Sequence, residues 1–435
     1  MAQRWIDLHP HPWRDQLVAE AHARPPATLT QPALISRLVM ESGERGEEKD
    51  HDHLVALCRS LGVPEPSATA RRHKVDAGGL TIVWERHTEF STYTLMRAQS
   101  ADRAVQWRAA VDAAPKWWRT DLPGRLLAAV HVAVRRQENG GPERSLYRDA
   151  FGKDRVIESS LTGGTASVAA DFRPDGDGFV RMLVFDNETS EIKRGRLVQT
   201  LLEIETYRMA ALLGFAQARE TGGDLRRLED AIVTLSEGLS APADVAHDRD
   251  LLQQLTTIAG EAEALRTRTT YRYAATQAYW RIVRERIESL QEQPLDGGIG
   301  ISGFIERRLA PAYRTCLAAD TRQNALTDHI ARATRLLATR VEVKVSEQNA
   351  ELLLSMDRRA KQQLRLQETV EGLSVVAITY YAVGLVGYLA EGLNGLGVAV
   401  DKTVVTLVAV PIIALAVGFG VRRLRRRLTR DEGRA

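Results

Sequence analysis

GLSVVAITYYAVGLVGYLA, from Gly372 to Ala390, and TVVTLVAVPIIALAVGFGV, from Thr403 to Val421, decide how this chain is read. Each run has 19 residues and no charge, close to the roughly 20 residues a helix needs to cross a bilayer. Buried core helices are also apolar, but these two runs follow one another near the end of a chain in which 26% of residues are charged. Pro411, in the middle of the second run, is better tolerated in a membrane helix than in an exposed soluble one. Only Glu391 to Lys402 joins the runs, which predicts an antiparallel hairpin. Arg422, Arg423, Arg425, Arg426, Arg427 and Arg430 follow the second run, and Arg358, Arg359, Lys361 and Arg365 precede the first. The connecting loop sets one lysine against Glu391 and Asp401. The positive-inside rule therefore expects both flanks in the cytosol and the short loop outside, with the six arginines as topology anchors. Their affinity would be for anionic lipid. A net charge of +3 is too small to argue for nucleic acid. The sequence opens MAQRWIDLHPHPW, without an apolar h-region, so no cleavable signal peptide is expected and the bulk of the chain is placed on the cytosolic face of a bacterial inner membrane.

Upstream of the first run the pattern is helical. EIKRGRLVQTLLEIETYRMAALLGFAQARE starts a helix at about 191, and Gly222-Gly223 is expected to break it. Further helices are predicted over 224–239, 247–292 and 303–371, with breaks at Pro242 and between Pro294 and Gly300. The last runs into the first apolar segment, with Pro311 placed to bend its first turns. A continuous helix over 303–390 would be roughly 130 Å long at 1.5 Å per residue. A helix of that length needs partners, so a helical stalk and a homo-oligomer are expected.

Residues before about 190 read differently. Segments 33–40, 70–77, 80–87, 89–96, 125–134, 156–161, 166–172 and 178–185 are β-branched and aromatic, and turn residues separate them. Gly78-Gly79, Gly163-Gly164 and Pro174-Asp175-Gly176 read as turns, and 46–61 as a helix ending before Gly62. The expected fold class is thus an α+β cytosolic domain (1–190), a long helical stalk (191–371), a transmembrane hairpin (372–421) and a basic cytosolic tail (422–435). Cys58 and Cys316 are too few for a disulfide framework and fit a reducing compartment.

LHPHPWRDQLVAEAHARPP, HTEFSTYTL, GRLVQTLLEIETYRMAALL and QLRLQETVEGLSVVAITYYAVGLVGYLA, in that order, resemble a bacterial family of uncharacterised membrane-anchored proteins with a domain of unknown function. The resemblance covers essentially the whole chain and implies a membrane anchor, with no activity and no site residue. The order of parts is also similar to that of CorA-type divalent-cation channels. Their Gly-Met-Asn signature at the outer end of the first span is absent here, where the chain reads GYLAEGLN from Gly387 to Asn394. That similarity implies an architecture and does not extend to magnesium selectivity.

Side chains that could carry chemistry each have a plainer explanation. His9, His11 and His22 could bind zinc but lack a completing ligand pattern, and are read as a packed N-terminal arm. Asp50, His51, Asp52 and His53 are read as a solvated helix start. Asp171, Asp175 and Asp177 lack the later glutamate of a calcium loop and are read as a hairpin turn. His87, Glu89 and Ser91 would share one strand face, as an exposed row or a domain contact. No phosphate loop, nucleophile elbow, H-E-x-x-H or paired C-x-x-C occurs. The chain is therefore not expected to be an enzyme, and no cofactor or metal is expected.

The first apolar run holds the strongest pattern. Ser374, Ala377, Tyr381, Gly384, Tyr388 and Glu391 recur at spacings of three and four, as helix-interface or water-facing positions do in membranes. The same register passes upstream through Met356, Ala360, Gln363, Gln367 and Val370. Two functions fit: a CorA-like assembly conducting cations along this seam, or a non-conducting anchor or scaffold that presents the cytosolic domain to a partner.

Overall fold

The computed structural model describes residues 11–14, 17–18, 28–43, 46–99, 105–137, 144–152, 156–186, 189–239, 244–295, 297–395 and 401–431. The chain divides into two compact units. One comprises Met1–Ala241 with Gln253–Thr334, the other Pro242–Leu252 with Arg335–Ala435.

In the first unit all eight extended segments form strands: β1 (Ala33–Glu41), β2 (Arg72–Ala77), β3 (Leu80–Arg86), β4 (Phe90–Ala98), β5 (Arg125–Arg136), β6 (Ile157–Leu161), β7 (Ala166–Pro174) and β8 (Val180–Asp186). A two-residue β9 (Gln293–Pro294) completes one sheet in the order β2-β3-β4-β1-β5-β8-β7-β6-β9. The pairs are antiparallel except β5 with β8. Gly78 and Gly79, at φ +58° and +85°, make the two-residue turn between β2 and β3 that only a positive-φ pair closes without strain.

Period-two alternation sorts the side chains into two layers. Leu34, Leu38, Tyr93, Leu95, Leu183 and Phe185 face four short helices: α1 (Glu47–Leu61), α2 (Ala109–Asp112), α3 (Lys116–Thr120) and α4 (Arg144–Phe151). These supply Leu54, Leu57, Val111, Trp118 and Tyr147 to the shared core. Gly62 ends α1 in the left-handed conformation. On the other side Ile35, Val130, Val132, Val168, Met182 and Val184 meet three long helices: α5 (Glu191–Leu239), α6 (Val245–Ser289) and α7 (Ile301–Gly395). Leu197, Leu201, Val283, Ile301 and Ile305 close that core. The Glu292 carboxylate caps α7 by accepting from the Ile301 and Ser302 amides, which satisfies donors a helix start leaves open.

The expected break at Gly222-Gly223 is absent, and α5 runs through both. Two glycines cost a helix about 1 kcal/mol each. The buried stripe Ala218, Thr221, Leu225 and Leu228 crosses them, and tertiary packing outweighs that propensity. Pro311 lies inside α7, which continues past it to Gly395.

In the second unit, the fully buried Asp248 of α6 accepts from Lys344 Nζ at 2.6 Å and lies 3.3 Å from Arg340 Nε. Every residue of α7 from 346 to 370 is exposed. A final helix, α8 (Lys402–Asp431), follows. The apolar parts of α7 and α8 are each long enough to cross a membrane.

Candidate functional site

The first turn of α1 is not the solvated helix start that its charges suggest. Asp50 shares the stripe of Leu54, Leu57 and Cys58, at the three- and four-residue spacing of a buried helix face. Its Oδ2 accepts from Arg86 Nη1 at 2.8 Å, Ser42 Oγ at 2.6 Å and Ser91 Oγ at 2.6 Å. Arg86 also donates to the Gly43 carbonyl. His51 meets the Ser67 carbonyl at 3.1 Å, and only Asp52 among the four is openly exposed. His53 stacks on Trp117 and meets Trp118 edge-on. Burial holds its imidazole below the ordinary value, against the opposing pull of Asp50 and Asp121.

His87, Glu89 and Ser91 do not share a face. β4 starts at Phe90, so Glu89 belongs to the turn and the alternation does not reach it. Glu89 accepts from Tyr279 at 2.6 Å and pairs with Arg272 at 2.8 Å, both on α6. Ser91 turns to Asp50 on the other side of the sheet. His87 stacks on Phe90 at 4.5 Å. Asp175 accepts the Asp177 and Phe179 amides and pairs with Arg181 at 2.6 Å, as a hairpin turn does. Asp171 accepts the Arg173 amide. His11 Nδ1 accepts the Trp13 amide, while His9 and His22 lie outside the described residues. Among the described residues no three histidine, cysteine or acidic side chains converge as a metal site. Cys58 and Cys316 are buried free thiols, and burial pushes Cys316 up to about 11.

One polar pair escaped the sequence reading. Ser36 and His131 stand opposite each other on β1 and β5, with Ser36 Oγ 2.8 Å from His131 Nδ1. Phe179 covers the ring at 3.8 Å and both residues are buried. Only a strand pairing known in advance could have revealed it.

The α7 seam remains as the candidate site. Ser374, Ala377, Tyr381, Gly384, Tyr388 and Glu391 are all exposed, as are Met356, Ala360, Gln363, Gln367 and Val370 upstream. Tyr381 and Tyr388 are each 75% open. A different line of α7 is the shielded one: Val375, Thr379, Val383, Val386, Gly387 and Ala390. The start of α8 lies at that line's end, with Lys402 Cε 3.8 Å from where a Gly387 side chain would begin. The ammonium of Lys402 sits 3.0 Å from Glu391 Oε2. Ser374 donates to the Val370 carbonyl, so its hydroxyl needs no further partner. The seam therefore faces away from the shielded line. Arg422 and Arg423 are exposed. The side chains of Arg425, Arg426, Arg427 and Arg430 lie outside the described residues.

One family model matches residues 9–428, and its description reads "Protein of unknown function (DUF3422)". A search of curated proteins finds no match.

Proposed function

The chain belongs to the DUF3422 family of proteins of unknown function, and from that premise we propose that it is a membrane-anchored protein that self-assembles along α7. One observation carries this reading. The stripe from Met356 to Glu391 keeps a three-and-four spacing for more than thirty residues, and nothing among the described residues of the chain covers it. A second copy of the same helix is the partner whose stripe has the same period and character. Within the apolar run the stripe is small and polar, as helix interfaces in membranes are. The two uncharged runs anchor the chain in a bacterial inner membrane. The arginines after the second run hold both termini in the cytosol, where the sheet-bearing unit meets its partner.

The Lys402 ammonium beside Glu391 supports a non-conducting anchor. A ring of glutamates concentrates cations at a pore mouth only while its charge is uncompensated, and each copy brings its own lysine. A cation-conducting assembly is the second reading, favoured by the exposed polar residues that continue across the span.

Cysteine introduced at Ala377 or Ala360 tests the assembly, since both natural thiols are buried. Cross-linking of Ala377→Cys between copies is expected, with none for Leu385→Cys on another face. A monomeric mass in several detergents, with no cross-link at either seam position, overturns the proposal. Reporter fusions test the topology: a periplasm-dependent reporter should be silent at residue 435 and active within 392–400.

A further inference from the structure

The buried guanidiniums of the first unit, Arg37, Arg86 and Arg194, sit among their own acceptors. Arg86 has Asp50, and Arg194 has Asp186 with the carbonyls of Leu29 and Thr189. Arg37 donates to Thr94 and lies 4.0 Å from Glu85. Lys193 and Arg196, which flank Arg194 in α5, differ. Their main chains are engaged, the Lys193 amide with Ser190 Oγ and the Arg196 carbonyl with Thr200 Oγ1. Their ammonium and guanidinium groups have no hydrogen-bond or ion-pair partner among the described residues. Residues three apart lie on one helix face, where like charges repel.

Both side chains line a cavity of about 630 Å³, within the range of small-molecule sites. It lies between the start of α5, the end of α6 and the turn that joins β6 to β7, all within the first unit. The packing holds these walls in place. The Thr162 amide of the turn donates to the Leu290 carbonyl at 2.9 Å, and Leu197 and Leu290, both buried in the sheet core, supply the apolar part of the lining. Among the described residues no acidic side chain lines the cavity. Glu288 and Glu292, close by in the chain, are engaged elsewhere, with Arg284 and with the start of α7. The wall therefore carries two positive charges without a counter-charge.

The neutral polar groups divide into donors and acceptors. The Ser190 hydroxyl and the Gln291 side-chain amide donate to nothing among the described residues. The other hydroxyls have spent their protons within the chain: Thr189 on Asp186 at 2.7 Å, Ser289 on the Arg286 carbonyl at 2.7 Å, Thr200 on the Arg196 carbonyl at 3.0 Å and Thr165 on the Thr162 carbonyl at 3.1 Å. A hydroxyl that has donated still has lone pairs with which to accept. A fitting ligand thus brings a doubly charged anionic group and hydroxyl donors beside it.

We propose that this cavity binds a phosphomonoester on a hydroxylated body, as in a sugar phosphate or the phosphorylated polyol headgroup of a lipid. The phosphate lies on Lys193 and Arg196 and the hydroxyls on the threonine oxygens. A phosphomonoester brings roughly two negative charges at neutral pH and three acceptor oxygens, which balances the two cations. A monocarboxylate would leave one cation uncompensated, and inorganic phosphate has no body to occupy the threonine wall. The site is independent of the α7 assembly.

The test is calorimetric titration of the full chain, in nanodiscs of zwitterionic lipid, with glucose 6-phosphate, glucose, glucuronate and inorganic phosphate. Glucose 6-phosphate should bind saturably and each of the others at least about tenfold more weakly, the scale of one charge-assisted hydrogen bond. Lys193→Met and Arg196→Met, both at exposed positions, should keep the circular dichroism of the parent. Each should weaken glucose 6-phosphate binding by at least about tenfold, and the double variant should abolish it. Lys74→Met, on β2 at the opposite end of the sheet, should leave it unchanged. Nanodiscs containing phosphatidylinositol 4-phosphate separate the two sources: competition with glucose 6-phosphate identifies the lipid headgroup, and unchanged binding identifies the soluble sugar phosphate. No saturable binding, glucose or inorganic phosphate binding as tightly as glucose 6-phosphate, or binding that survives the double variant overturns the proposal.

Discussion

Arg86 Nη1 lies 2.8 Å from Asp50 Oδ2, with the two side chains at 3% and 0% exposure. The pair joins α1 to the end of β3, with Ser42, Ser91 and the Gly43 carbonyl hydrogen-bonded around it. Removing one partner strands a buried charge, which costs about 3–5 kcal/mol, whereas replacing both with apolar groups is often neutral. Asp50→Leu and Arg86→Met should each lower the unfolding free energy by about that amount, and the double variant should recover most of it. Denaturant unfolding followed by tryptophan fluorescence measures this. Single losses under about 1 kcal/mol, the scale of an exposed pair, would show that the charges are solvated after all.

Gly214 makes the second prediction. It sits on α5 where a methyl group would collide with Thr276 Oγ1 of α6 and come 3.4 Å from Cys316 Sγ of α7. Thr276 also donates to the Ala211 carbonyl at 3.2 Å, which fixes it in place. Gly214→Ala should therefore destabilise by about 1–3 kcal/mol, as overpacking does, although alanine is the better helix former. Thr276→Ala in the same chain should relieve the clash. A Gly214→Ala variant as stable as the parent, or a double variant less stable than the single, contradicts this close approach.

What could be read beforehand follows the range of each signal. β8, VRMLVFD, is a short apolar run that follows the Pro174-Asp175-Gly176 turn, so its extended state is local information. β9 has two residues, one a proline, and exists only because β6 lies beside it. Asp50 was legible in principle: it is four residues before Leu54, on the same stripe, and its charge drew attention from its phase. Arg37 was legible in the same way, alternating with Ile35 and Val39 on an inward strand face. The α7 seam could be found by spacing alone. That it faces away from the shielded line could not, because a second line of α7, through Val375, Thr379 and Val386, has nearly the same period.

A pH dependence follows from His131. Burial, with Arg181 and Arg108 adding to it and Asp175 and Asp112 opposing, brings its pKa from 6.5 down to about 4. Between those values the unfolded chain binds a proton that the folded chain refuses. Stability is therefore full above pH 6.5 and falls as the pH drops toward 4, by about 3 kcal/mol in all. His53, also held low by burial, acts in the same direction. His131→Gln should flatten the slope, leaving the part due to His53 and the carboxylates. Urea unfolding at several pH values across this window measures it; parallel curves for parent and variant would mean that His131 accepts its proton in the folded state.

Glu391 and Lys402, 3.0 Å apart at 64% and 54% exposure, separate the two functional readings. If the assembly is a non-conducting anchor, liposomes carrying the parent protein should pass mono- and divalent cations no faster than empty ones. Glu391→Gln should then change neither flux nor assembly, because an exposed ion pair of this kind contributes little. Lys402→Gln is the more searching variant. It leaves each glutamate uncompensated at the outer end of the seam, where copies of the helix would bring several together. In a packed seam, like charges repel and the oligomer loosens, seen as a lower mass or weaker Ala377→Cys cross-linking. In a pore, the same substitution strengthens an acidic ring and raises cation flux, and Glu391→Gln lowers it. Flux in the parent that responds in opposite directions to these two substitutions would replace the anchor reading with the conducting one.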